Sequence, residues 1–143
     1  TLLDGDVIRR SLSKGLGFSK ADRSANVRRI GYVAAQVAAS GGVALAANIA
    51  PYAEDRAANR AAVEGAGGRY FEVFVDTPLA ECEKRDPKGL YAKARSGVIP
   101  AFTGVSDPWE PPTAPDLRLN GADDLGANVA AVFDAVAAFL PIR

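Results

Sequence analysis

With 143 residues, 48% of them hydrophobic, the chain is long enough to bury one substantial core, and its 17 basic and 17 acidic residues argue against duplex nucleic acid as its main ligand. There is no histidine, so imidazole bases, Ser-His-Asp triads and His-containing zinc sites are excluded, and Cys82 alone allows neither an internal disulfide nor a cysteine-rich metal centre. The lone cysteine fits a reducing cytoplasm, no segment approaches the roughly 20 apolar residues of a membrane helix, and the absence of methionine suggests a piece of a longer polypeptide.

Leu2-Leu3 reads as the end of a strand, followed at once by Asp4 and Asp6 and then by Arg9 and Arg10. A helix is expected next: Ser19 is its N-cap with Asp22 three residues on, Val27, Ile30, Ala34 and Val37 lie at helical spacing, and Gly41 stops it. The run "VALAAN", Val43 to Asn48, reads as a buried strand, and a second helix is expected from Glu54 to Glu64. Another buried strand is expected in "YFEVFV", Tyr70 to Val75, with a helix from Pro78 and one over "GLYAKARSG". Residues Val98 to Pro115 carry five prolines and no periodicity, which marks a long functional loop. The strand "DLRLN" and a helix from Leu125 to Leu140, with Val129, Val132, Phe133, Val136 and Leu140 on one face, complete the chain.

Strands alternating with helices point to an α/β fold with a mostly parallel sheet, whose ligands bind outside the carboxyl ends of the strands. Asp4 and Asp6, Asn48 to Tyr52, and Asp76 all fall at such ends. From Thr1 to Ile30 seven Lys/Arg face three Asp, an excess that favours an anionic ligand. Acids at a strand tip beside cations suit phosphoryl transfer, in which a carboxylate orients or deprotonates a hydroxyl and arginines hold anionic groups. The alternative is structural: Asp6 caps a short helix and Asp4 closes a turn. Phe18 and Phe102 sit in glycine-flanked loops, where they either stack on a base, at about 1–3 kcal/mol per contact, or tack the loops to the core. Cys82 reads as a small buried residue.

Five phrases in order, "LDGD..R", "LGFS..DR..N.RRIG", "PY..DR", "EVFVDTPL..CE.RDPKGLY..AR.G" and "FTG..DP.E.P", resemble the adenylylsulfate kinase family over nearly the whole chain. The resemblance implies a P-loop NTPase-like three-layer α/β fold, a mostly parallel sheet flanked by helices, in one domain. It also implies transfer of the γ-phosphoryl group of MgATP to the 3′-hydroxyl of adenylylsulfate, giving PAPS for sulfate assimilation. Carried over by position, Asp4 is the acid near that hydroxyl and Asp6 supports it. Arg9, Arg23 and Asn26 match adenylylsulfate-binding positions, Phe18 and Phe102 the pair that sandwiches its adenine, and Lys88 falls in the mobile lid. ATP and Mg²⁺ are the implied cofactors, a fused or associated sulfate adenylyltransferase the implied partner, and a homodimer an open expectation.

Two features depart from the family. No G-x-x-x-x-G-K-[ST] loop occurs in the 143 residues, so these residues alone are expected to be inactive towards ATP, with the loop in an upstream segment. Ala50 stands where many relatives have a serine that is phosphorylated in some, which rules out a phosphoenzyme at that position. Three functions compete: the kinase, a non-catalytic PAPS-binding regulatory module attached to a sulfate adenylyltransferase, and a kinase for another small hydroxyl substrate. The third lacks a reason for the paired phenylalanines and "RDPKGLY".

Overall fold

The computed structural model describes residues 1–140. Leu2–Asp4 form strand β1, and the chain turns directly into helix α1 (Gly5–Arg10), because Asp4 remains extended and its Oδ1 accepts the N–H groups of Asp6 and Val7, each at 3.0 Å. The cap is therefore Asp4 rather than Asp6, which lies inside the first turn. Helix α2 (Lys20–Ala39) starts as expected: Ser19 Oγ accepts from the Asp22 N–H at 3.1 Å and donates to the Asp22 carboxylate at 2.7 Å. It ends at Gly41, whose φ of 78° lets the Gly42 N–H return to the Val37 carbonyl at 2.9 Å.

Strand β2 (Leu45–Ala47) pairs with β1 in parallel, Leu2 opposite Leu45 and Asp4 opposite Ala47. The expectation of a buried strand fails here: all three β2 residues are exposed. Among the described residues β2 pairs with β1 alone, and the core cluster of Leu3, Ile8 and Ile30 gathers around β1 and α2 rather than across β2. Burial of each of those aliphatic side chains contributes about 1.5–3 kcal/mol.

Helix α3 (Ala53–Gly65) packs along α2. Gly31 leaves room for the Asn59 side chain of α3: an added Cβ would lie 2.0 Å from Asn59 Oδ1, and the Asn59 amide donates to the Val27 carbonyl at 3.1 Å. One turn away Asp55 is fully buried in the first turn of α3, and Arg28 Nε donates to its Oδ1 at 2.8 Å. This bond, followed by Coulomb attraction, raises the Arg28 pKa, and the positive end of the α3 dipole also favours the carboxylate. Asp55 Oδ2 has no hydrogen-bond partner, so the half-exposed guanidinium is the main compensation for burying this charge.

Thr1–Tyr70 and Pro108–Pro111 form one compact unit; Phe71–Asp107 and the chain from Pro112 form a second. In the second, strand β3 (Val73–Asp76) pairs in parallel with strand β4 (Leu117–Asn120), Val73 opposite Leu117 and Asp76 opposite Asn120. β3 begins three residues later than Tyr70, and only its Phe74 is buried, so this strand too is less enclosed than its apolar run suggests. The expected mostly parallel sheet is realised among the described residues as two parallel two-stranded ladders.

Helices α4 (Leu79–Arg85), α5 (Leu90–Arg95) and α6 (Leu125–Phe139) fall where helical patterns are predicted. The face of α6 differs from expectation. Val132, Val136 and Leu140 are half-buried, but Val129 and Phe133 are exposed. Asn128 Nδ2 donates to the Asn120 carbonyl at 2.9 Å, and Phe139 meets Phe71 edge-on at 4.9 Å, so the line from Asn128 to Phe139 faces inward and Val129 and Phe133 turn outward. Among the described residues no helix is long and apolar enough to cross a membrane.

Candidate active site

Both ligand-side tips of the first ladder are built from short-range geometry. At the end of β1 the Asp4 carboxylate spends Oδ1 on capping α1, which fixes the side chain while leaving Oδ2 outside the cap. Across the ladder the chain leaves β2 through 48–52, and an added Cβ on Gly5 would meet the Ala47 carbonyl at 3.1 Å and Asn48 Cβ at 3.6 Å. Residues 47 and 48 therefore form a wall against the start of α1. Asp6 is exposed in the first turn of that helix.

Arg9, Phe18 and Arg23 come together. Arg9 Nη1 donates to the Gly17 carbonyl at 3.0 Å with its guanidinium carbon 4.5 Å from the centre of the Phe18 ring. Arg23, buried on α2, donates from Nε to the Phe18 carbonyl at 2.8 Å, and its guanidinium lies 5.7 Å from the same ring. Two cations thus hold the loop that carries Phe18, while the ring itself stays 62% exposed and open to a stacking ligand. Asn26, one turn beyond Arg23, is buried, yet its Oδ1 has no hydrogen-bond partner. A buried amide oxygen without a partner is costly unless a ligand donor reaches it.

Lys88 and Phe102 belong to the second unit. Lys88 is exposed in the turn between Asp86 and Gly89. Phe102 opens a tight turn in which its carbonyl accepts from the N–H groups of Val105, Ser106 and Asp107 at 3.0 Å, and its ring packs edge-on against Tyr91 of α5 at 5.2 Å. Burial, then the neighbouring Cys82, pushes the Tyr91 phenol above its usual pKa. Cys82 is half-buried with its thiol 3.8 Å from the Thr77 carbonyl, in agreement with a packing role.

Asp86 organises the "RDPKGLY" turn. Its carboxylate accepts from the Tyr91 N–H at 3.1 Å and the Ala92 N–H at 3.0 Å. The bond from Ala92 contributes most to lowering the Asp86 pKa below its ordinary 3.8, with Tyr91 adding to it. A depressed native pKa means that this contribution to local stability is fully present above the unfolded value and is lost as pH falls through the native one. We expect the Tyr91 and Ala92 amide resonances to titrate together with a midpoint below 3.8, and Asp86→Asn to abolish that titration. A midpoint at or above the ordinary value would show that the cap does not form in solution.

Sequence reasoning missed Arg56 and Glu110, whose contacts join the 48–56 segment to residues 108–111 across more than fifty positions. No local spacing signals such a pairing. A carrier of the ATP phosphates is also missing from the residues present: they contain no G-x-x-x-x-G-K-[ST] loop, and no cluster of three or more acidic or cysteine residues that could hold a metal occurs among the described ones. These residues fit an anionic, aromatic substrate and do not by themselves fit Mg²⁺ and a triphosphate.

A parallel α/β fold with a capped acid at a strand tip, and arginines gathered on an exposed aromatic in the same unit, fits the P-loop NTPase-like fold class. Residues 1–120 match the family model described as adenylylsulphate kinase, and the chain belongs to that family. It is 56% identical to a probable adenylyl-sulfate kinase of Synechocystis over 117 residues, 82% of this chain and 64% of that protein. It is 49% identical over 133 residues to a bifunctional enzyme CysN/CysC of Mycobacterium tuberculosis, 93% of this chain and 22% of the other. The structure of the Mycobacterium tuberculosis APS kinase CysC in complex with AMPPNP and APS superposes with a TM-score of 0.90 at 48% identity, covering 94% of this chain and 78% of that one. The chain thus spans about two thirds or less of the length of these curated relatives.

Proposed function

We propose that this chain is the adenylylsulfate-binding and catalytic part of an ATP-dependent adenylylsulfate kinase, transferring a phosphoryl group to the substrate's 3′-hydroxyl to give PAPS. The observation that carries this reading is the meeting of Arg9 and Arg23 on the exposed Phe18, with Asn26 buried and under-bonded on the same helix. Arg9 and Arg23 attract the anionic phosphosulfate, Asn26 Oδ1 accepts from a substrate donor, and Phe18 stacks on the adenine; the family resemblance assigns Phe102 as a second adenine-stacking ring. Asp4 orients the 3′-hydroxyl or receives its proton, since one carboxylate oxygen serves the helix and the other remains for the substrate, and Asp6 adds negative charge next to it. Lys88 adds a cation from the lid. When bound, MgATP supplies the phosphoryl group, and ATP and Mg²⁺ are the cofactors of the whole enzyme.

A polypeptide in which residues 1–143 act as one kinase domain beside a sulfate adenylyltransferase agrees with the bifunctional relative, and a homodimer is the simplest assembly. The test is conversion of adenylylsulfate to PAPS with MgATP by the full-length natural protein, with the 143-residue piece as an inactive control. Turnover by the full-length protein supports the kinase. PAPS binding without turnover overturns it in favour of a regulatory module.

A further inference from the structure

Ala50 has a φ of 42°, a left-handed conformation that favours glycine, yet it stands in the segment that leaves β2 beside Asp4. Something must hold it there. Arg56 Nη1 donates to the Ala50 carbonyl at 2.8 Å, and Nη2 of the same guanidinium donates to the Glu110 carbonyl at 2.7 Å. Glu110 completes the circuit: its N–H donates to the Pro51 carbonyl at 2.9 Å, and its carboxylate accepts from the Ala53 N–H at 2.6 Å. That last bond is a helix cap supplied from a distance, because Tyr52, the residue at the N-cap of α3, makes no side-chain cap bond. Trp109 reinforces the strap, its indole N–H directed at the Ile49 carbonyl at 3.5 Å.

We propose that Glu110 and Arg56 are positioning residues for phosphoryl transfer, holding 48–52 in the one conformation that walls the Asp4 side of the site. The inference rests on the kinase reading above. Neither residue needs to touch the substrate. Each acts through the backbone of Ala50 to Ala53, where Ala50 holds its left-handed φ beside the buried Tyr52 ring. A carboxylate at 110 is suited to the role because it faces the N-terminus of α3, where a negative charge is favoured.

The test compares Glu110→Ala, Glu110→Gln and Arg56→Lys in the full-length natural protein by steady-state kinetics and by hydrogen exchange over 48–56. Glu110→Ala should lower kcat/KM for adenylylsulfate by about tenfold or more, within the range a small misplacement of reacting groups produces, with KM for ATP unchanged and exchange faster at 48–53. Glu110→Gln, which keeps an acceptor for the Ala53 N–H, should recover most of the loss. Arg56→Lys, which cannot bridge two carbonyls as a planar fork does, should not. If Glu110→Ala only lowers the melting temperature while kinetics of the folded enzyme stay at wild-type values, the residue is structural and the proposal is wrong. A wild type that shows no turnover but the same exchange response would instead overturn the kinase reading and leave the clamp in place.

Discussion

Asp4→Asn should lower turnover of adenylylsulfate by about 10²–10⁴-fold, the range typical of losing a general acid–base group, with a smaller change in substrate affinity. The substitution separates chemistry from folding unusually well. Asparagine is as good an N-cap as aspartate, so its side-chain oxygen can go on accepting from the Asp6 and Val7 N–H groups while the charge is lost. Asp4→Ala should add a fold penalty of about 1 kcal/mol for the missing cap, visible as a lower melting temperature that Asp4→Asn does not share. Steady-state kinetics and thermal melts on both variants of the full-length natural protein provide the check. Near-normal turnover in Asp4→Asn would remove Asp4 from the catalytic role and leave it as a helix cap.

Phe102→Ala should weaken adenylylsulfate binding by about 5- to 150-fold, the equivalent of losing one base–aromatic stack of about 1–3 kcal/mol, while ATP binding stays close to wild type. The turn from Phe102 to Asp107 is held by backbone bonds to the Phe102 carbonyl, so the loop can keep its shape without the ring. Titration calorimetry with each nucleotide distinguishes the outcomes. Equal losses for both ligands would show that Phe102 supports the unit as a whole, through its contact with Tyr91, rather than stacking on one substrate.

What the sequence reveals of this protein is mostly local. The Ser19 cap with Asp22 and the Gly41 stop bracket α2 within a residue or two, because capping and left-handed termination depend on a few adjacent side chains. Arg9, Phe18 and Arg23 were put in one site by the family resemblance and not by spacing; their contact in the structure is made by a short loop and two helices within fifteen positions. Burial was less legible: apolar runs at 43–48 and 70–75 look like enclosed strands, but enclosure depends on what packs over them, and β2 is covered on neither side of its three residues. The outward turn of Val129 and Phe133 has the same origin, since periodicity defines a stripe and not its direction. The structural reading of the sequence made Asp6 the cap and Asp4 a turn residue; the cap is Asp4, because it is the residue that stays extended. Ala50 was read only for its missing hydroxyl, and nothing in an alanine announces a positive φ.

The space left at Gly31 has a mechanical meaning. With the Asn59 amide seated against Gly31 and bonded across the seam, and a buried ion pair a turn away, α2 and α3 are joined by two polar links as well as by apolar packing. Asn26 lies on one half of that pair and Ala53 begins the other. Any side chain at position 31 would have to displace the Asn59 amide, so a single missing methyl group decides whether the two halves can be cross-linked at all.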